Sequence, residues 1–327
     1  MQELRLLLYP FSILYDGVTA LRNLAFDQGW LSQQSFDVPV IAVGNLSTGG
    51  TGKTPMVEYL IHTYLPKKVA VLSRGYGRQT KGYILLNEDH STDEVGDEPL
   101  QIKRKFGDAI ISAVCEKRVD GIERLMNDHS PDLIILDDAY QHRYVKAAHY
   151  ILLTSFNDLY VDDYVLPAGN LRESSRAAQR ADQIVVTKCP PDLSEKEQVR
   201  IAHKLNPTAD QDLYFATIAY EHYVQGVAGS LALDQLQGKE ISVVTGIANP
   251  QPFLNHLNQF FVFKHFKFGD HHRFKEVEVD QIKKFDIVIT TEKDYRRLET
   301  YQLPHLYYLS ISTKFIGDNL VLEDLVV

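Results

Sequence analysis

Cysteine is nearly absent from this chain. Cys115 and Cys189 are the only two in 327 residues, too few for a disulfide framework and in no metal-ligand spacing, which suits a reducing compartment. An excess of positive charge is missing too: the formal net charge is -9, which argues against nucleic acid as the main partner. Long apolar runs are also lacking. The strongest, Leu6 to Leu14, contains Pro10 and is too short to span a bilayer. It makes a poor signal peptide, because Glu3 spoils the basic leading stretch and no small-residue cleavage site convinces. No internal repeat or low-complexity tract occurs. What is present, 44% apolar and 24% charged residues, is ordinary for a soluble globular protein long enough for two domains.

The stretch Val38 to Pro55 organises the rest. Val38 to Val43 has the length and β-branched content of a buried strand, and it breaks at Gly44 into a loop dense in Gly, Ser and Thr, with a helix expected after it. Gly49, Gly50, Thr51, Gly52, Lys53 and Thr54 make this a phosphate loop. Glycines let backbone N–H groups face phosphates, Lys53 reaches the β and γ oxygens, and the Thr54 hydroxyl suits Mg2+. The usual glycine five residues before Gly52 is replaced by Ser47, with Gly49 and Gly50 supplying the backbone freedom. An ordinary glycine-rich turn is the alternative.

Ahead of this stretch, Leu7, Phe11, Leu14, Val18, Leu21 and Ala25 share one helical face, with Ser12, Asp16, Asn23 and Asp27 on the other. Pro10 falls near the first turn or at a kink. Two readings are open for this amphipathic helix: it packs on the protein's own core, or it lies in a membrane interface without polybasic help.

After the loop, strands and helices alternate to about residue 218, which predicts a P-loop NTPase-like, doubly wound, mainly parallel α/β sheet. From Tyr220 the rhythm changes to a second, smaller α/β domain. The expected organisation is an N-terminal helix over 1–30, a nucleotide-binding domain over 31–218 and a smaller domain over 219–327.

Several loops carry candidate chemistry. Ser73 to Arg78 follows a strand at the edge where open α/β sheets bind ligands, so Arg74 and Arg78 can clamp a phosphate or simply be solvated. Asp93, Glu94, Asp97 and Glu98 surround Gly96 at the start of a helix, where the bland reading is favourable N-terminal charge. Asp132 to Leu136 is an apolar run ending in Asp137 and Asp138, a pattern that holds Mg2+ in nucleotide hydrolases and kinases. Arg172 and Glu173 lie in a loop that can face the same site. In the second domain Asp270, His271 and His272 can be metal ligands, a catalytic pair or a solvated turn.

GGTGKTP, SRGYGR, GDEP, LDDAYQH, LPAGNLRE and DHH, in this order, with TTEKD near the end, resemble the tetraacyldisaccharide 4'-kinases of lipid A synthesis in Gram-negative bacteria. The resemblance covers nearly the whole chain. It implies transfer of the γ-phosphate of ATP to the 4'-hydroxyl of a tetraacylated disaccharide 1-phosphate, with Mg2+, at the inner face of the inner membrane. By the same resemblance Asp97 accepts the hydroxyl proton, supported by His271, with His272 a weaker possibility. Lys53 and Thr54 serve phosphate and metal, Asp137, Asp138 and Glu173 serve the metal, and Arg74, Arg78 and Arg172 serve the substrate. It also favours peripheral membrane attachment through the Leu7 to Ala25 face, with Phe260 to Lys267 adding to it. Where the family more often has glycine after the paired aspartates, this chain has Ala139; such departures bear on loop shape.

Rival readings are a regulatory P-loop ATPase switch at the membrane and a GTPase. The first generally carries a lysine where this chain has Thr48. The second is suggested by Thr187-Lys188, but its guanine-reading aspartate would fall at Pro190.

Overall fold

The computed structural model describes residues 5–269 and 272–320. The chain divides into two compact units, one of residues 1–218 with 313–327 and one of residues 219–312.

In the larger unit the strands are β1 (Val40–Asn45), β2 (Val69–Ser73), β3 (Ile84–Leu85), β4 (Ile111–Val114), β5 (Leu133–Leu136), β6 (His149–Ser155), β7 (Gln183–Thr187) and the start of β8 (Asp212–Gly226). They line up in the order β3-β4-β2-β5-β1-β6-β7-β8. All pair in parallel except β3, which is antiparallel to β4. A parallel sheet must be covered on both faces, and the strands are apolar on both. Ile41, Val43, Val69 and Val71 face Met56, Val57, Leu60 and Ile61 of helix α2 (Lys53–Tyr64). Their neighbours Val40, Ala42, Ala70 and Leu72 face the other way, onto Ile122 and Leu125, which lie in a helix spanning Arg118–His129. Each large side chain so buried contributes roughly 1.5–3 kcal/mol. The order of strands places the ends of β1, β2, β5 and β7 along one edge, where the candidate site lies.

The smaller unit holds β9 (Gly229–Ala232), antiparallel to the end of β8, and a parallel sheet of β11 (Lys264–Lys267), β10 (Ile241–Thr245), β12 (Ile287–Thr291) and β13 (Leu306–Phe315), in that order. The Phe260 to Lys267 run, expected to add to a membrane contact, is largely inside this unit. Phe261, with Phe260 and Phe263, packs into one core cluster, and Phe266 packs into another. These rings turn toward the core and leave Val262, Lys264 and Lys267 outside.

The N-terminal helix α1 (Tyr9–Asp27), with Pro10 in its first turn, is inverted relative to an ordinary surface helix. Leu7, just before it, and Phe11, Leu14, Val18 and Leu21 within it are 74, 62, 68, 62 and 62% exposed. Its polar side packs on the body instead: Ser12 is 3% exposed, its hydroxyl donates to the Val165 carbonyl and accepts from the Ala168 amide, both at 2.9 Å. Arg143 adds bonds to the Asn23 carbonyl and the Asp27 carboxylate. Packing of the apolar face on the protein's own core is therefore excluded among the described residues.

Candidate active site

The phosphate loop runs from the end of β1 to the first turn of α2. Gly52 caps α2 at φ 86°, a conformation open to glycine, and Lys53 and Thr54 are the first helical residues, so the loop delivers unpaired helix N–H groups and a cation to one place. Three carbonyls of the loop are held from outside it. Asn45 Nδ2 donates to the Gly49 carbonyl at 3.1 Å, Lys188 Nζ donates to Gly50, and the Thr187 hydroxyl donates to Thr51 at 2.7 Å.

The paired aspartates follow β5, next to β1, and they are not equivalent. Asp138, at φ 49°, lies 3.6 Å from Lys53 Nζ, while Arg172 Nη1 lies 2.9 and 3.0 Å from its two oxygens. Burial alone would raise its pKa, but the two cations outweigh burial and hold the carboxyl below its usual range. Asp137 is fully enclosed. Burial, then the charges of Glu98 and Asp138, push it up to about 7 against the pull of Lys53 and Arg118. One of its oxygens accepts from Ser73 at 3.2 Å and the other is buried with no hydrogen-bond partner.

A carboxylate left so is suited to a cation. No group of three or more His, Cys, Asp or Glu side chains is gathered around a metal position among the described residues. The donor set fits instead an ion such as Mg2+ that keeps water and phosphate among its ligands, with the spare Asp137 oxygen, Asp138 and the Thr54 hydroxyl as protein donors.

Asp97 opens helix α3 (Asp97–Phe106), half-buried, and the neighbouring Glu98 is close enough to raise Asp137. The position depends on two glycines. Gly96 sits at φ 91°, and a Cβ there would come 3.0 Å from the Tyr76 carbonyl and 3.2 Å from Gly75 Cα, so the GDEP and SRGYGR loops meet backbone to backbone. Arg74 is exposed, and its charge acts on Arg118 and His142. Arg78 does not join it as a phosphate clamp. Its side chain is 3% exposed and turned into the protein, 2.7 Å from Glu116 and donating to the Gly82 carbonyl at 2.7 Å.

Glu173 is 3% exposed and holds three donors: Gln141 at 3.0 Å, Arg180 at 2.8 Å and Asn23 of α1 at 2.8 Å. Tyr15 of α1 also donates to the Arg172 carbonyl at 3.1 Å. The inner face of the N-terminal helix is thus bonded to the Arg172-Glu173 loop. Asp270 and His271 lie outside the described residues. His272 is engaged locally, its Nε2 2.9 Å from Glu278 and its ring stacked on Phe268.

Motif reading missed Asn45, Gln141, Arg118 and His142. Thr187-Lys188 carried a signal, but one read only as a fragment of a guanine-binding motif. The buried Arg118 donates to the Cys115 and Asp137 carbonyls, fixing the turn after β5.

Residues 4–326 match the family model described as tetraacyldisaccharide-1-P 4'-kinase. The chain is 46% identical over 323 residues to the tetraacyldisaccharide 4'-kinase of Flavobacterium johnsoniae, covering 97% of this chain and 94% of that protein. To the protein of the same name from Bacteroides thetaiotaomicron it is 40% identical, covering 94% and 88%. Among solved structures it is similar to LpxK from Aquifex aeolicus crystallised in complex with ATP, at TM-score 0.78 and 30% identity over 96% of both chains.

Proposed function

The chain belongs to the tetraacyldisaccharide-1-P 4'-kinase family, and we propose that it transfers the γ-phosphate of ATP to the 4'-hydroxyl of a tetraacylated disaccharide 1-phosphate held in a membrane. The observation that carries this reading is one connection: a helix with an exposed apolar face is bonded, through Asn23 and Tyr15, to the loop whose Arg172 grips Asp138 beside Lys53. A water-soluble acceptor would not call for such a face.

Phosphoryl transfer leaves the protein little covalent work, so positioning and charge carry the catalysis. The loop N–H groups of Gly49 to Thr54 and the Lys53 ammonium take the phosphate oxygens. Mg2+, when bound, supplies further neutralisation of phosphate charge, with Asp137, Asp138 and Thr54 to hold it, and Glu173 only if it gives up one of its donors. Asp97 takes the proton of the attacking hydroxyl. Arg74 and Arg172 suit the anionic substrate, while Arg78 holds the loop that carries Arg74. No helix among the described residues is long and apolar enough to cross a membrane. The exposed apolar face of α1 supports peripheral attachment, at the cytoplasmic face of the inner membrane.

The test is to incubate the protein with ATP, Mg2+ and the disaccharide 1-phosphate in detergent micelles and to locate new phosphate by 31P NMR. A second monoester at the 4' position is expected. ADP release with no new lipid phosphate would point to a regulatory ATPase instead.

A further inference from the structure

We infer that Asn45, Thr187 and Lys188 are positioning residues that set the protein's affinity for nucleotide by aiming the phosphate loop. The inference rests on the nucleotide-site reading above but on different residues. Gly49, Gly50 and Thr51 are consecutive, and each carbonyl accepts a side chain from outside the loop: Asn45 at the end of β1, Lys188 just past β7 and Thr187 at the end of β7. A peptide unit is planar and trans, so the carbonyl of one residue and the N–H of the next point in opposite directions. Pinning these three carbonyls therefore turns the N–H groups of Gly50, Thr51 and Gly52 toward the opposite side, which forms a concave anion nest leading into the first turn of α2.

The geometry of the pins is specific. Thr187 is buried, and its hydroxyl oxygen sits between the carbonyls of Thr51 at 2.7 Å and Thr154 at 3.1 Å. Its side chain also lies against Gly52, 3.7 Å from where a Cβ would stand. Lys188 adopts φ 58°, a left-handed conformation unusual for a residue with a side chain, and this bend accompanies its return across the loop to Gly50. Its ammonium also adds positive charge at the crown of the loop. The aspartate that would read guanine is replaced by Pro190, so the pair serves the phosphates and makes no selection of base.

The experiment uses the full chain and the non-hydrolysable analogue AMP-PNP with Mg2+, by calorimetry, together with steady-state kinetics in micelles. Thr187→Val, which keeps the shape and removes the donor, is expected to weaken AMP-PNP binding about tenfold and to raise KM for ATP by a similar factor, with KM for the lipid unchanged. Thr187→Ser, which returns the hydroxyl, restores both. Lys188→Met, at an exposed position that cannot unfold the core, weakens binding several-fold and decides the matter if the valine variant does not fold. Wild-type nucleotide affinity in Thr187→Val and Lys188→Met would overturn the inference, as would an equal rise in both KM values or a serine variant as weak as valine. Binding judges the pins, and label in the lipid judges the kinase reading, so the two fail separately.

Discussion

Asn23 Nδ2 donates to Glu173 Oε2 at 2.8 Å, across 150 residues of sequence, and so joins the N-terminal helix to a buried carboxylate of the candidate site. Removing the amide leaves that oxygen short of a donor, which costs about 1–3 kcal/mol. Asn23→Ala is expected to lose stability in this range in urea unfolding. Asn23→Asp is expected to lose more, because two carboxylates then face each other. A stable aspartate variant would mean that the helix is not held by this bond.

The exposed face of α1 is expected to drive membrane binding. Each large apolar side chain moved into lipid contributes about 2 kcal/mol, so Phe11→Glu, Leu14→Glu and Val18→Glu together should abolish co-flotation with vesicles. AMP-PNP affinity and urea stability should stay as in the wild type, since these side chains touch little of the protein. Unchanged flotation would remove the helix from the membrane contact.

Arg74 and Arg78, four residues apart, should behave oppositely. Arg78→Ala removes an enclosed guanidinium from its pairing with the partly exposed Glu116 and is expected to cost about 1 kcal/mol of stability. Arg74→Ala, at an exposed position, should change stability by less than about 0.5 kcal/mol while raising KM for the lipid. The reverse pattern in urea unfolding would show that the loop is held some other way.

Burial, with the charges of Arg118, Arg22 and Arg74 around it, lowers the His142 imidazole to about 4. Because the folded value lies below the ordinary one of about 6.5, the unfolded chain takes the proton first. His142 thus contributes stability above pH about 6.5 that is lost as pH falls through 6.5 toward about 4. His142→Gln cannot take this proton, so its stability should fall less steeply than that of the wild type across this window. Equal slopes would contradict the assignment.

Much of the site was legible because its signals are local. The phosphate loop and the two aspartates after β5 each lie within a dozen residues, and each strand or helix of the alternating pattern is itself a short segment, where period and spacing constrain structure. The amphipathic pattern of α1 was legible too, but it could not say which face meets the protein. That depends on partners such as Val165, Arg143 and Glu173, more than a hundred residues away in sequence. The aromatic run at 260–267 misled for a related reason: its rings pack into the core of the smaller unit, and composition alone does not show direction. Arg78 and the pins at Asn45, Thr187 and Lys188 act through contacts that only the folded sheet brings together.

The most direct test of the account is transfer of labelled γ-phosphate from ATP to the tetraacyl disaccharide 1-phosphate in micelles, comparing wild type with Asp97→Ala. The account predicts label in the lipid with the wild type and almost none with Asp97→Ala, while both bind AMP-PNP with similar affinity. Label from both proteins would remove Asp97 from its role as proton acceptor, and no lipid label from the wild type despite ATP hydrolysis would contradict the kinase assignment itself.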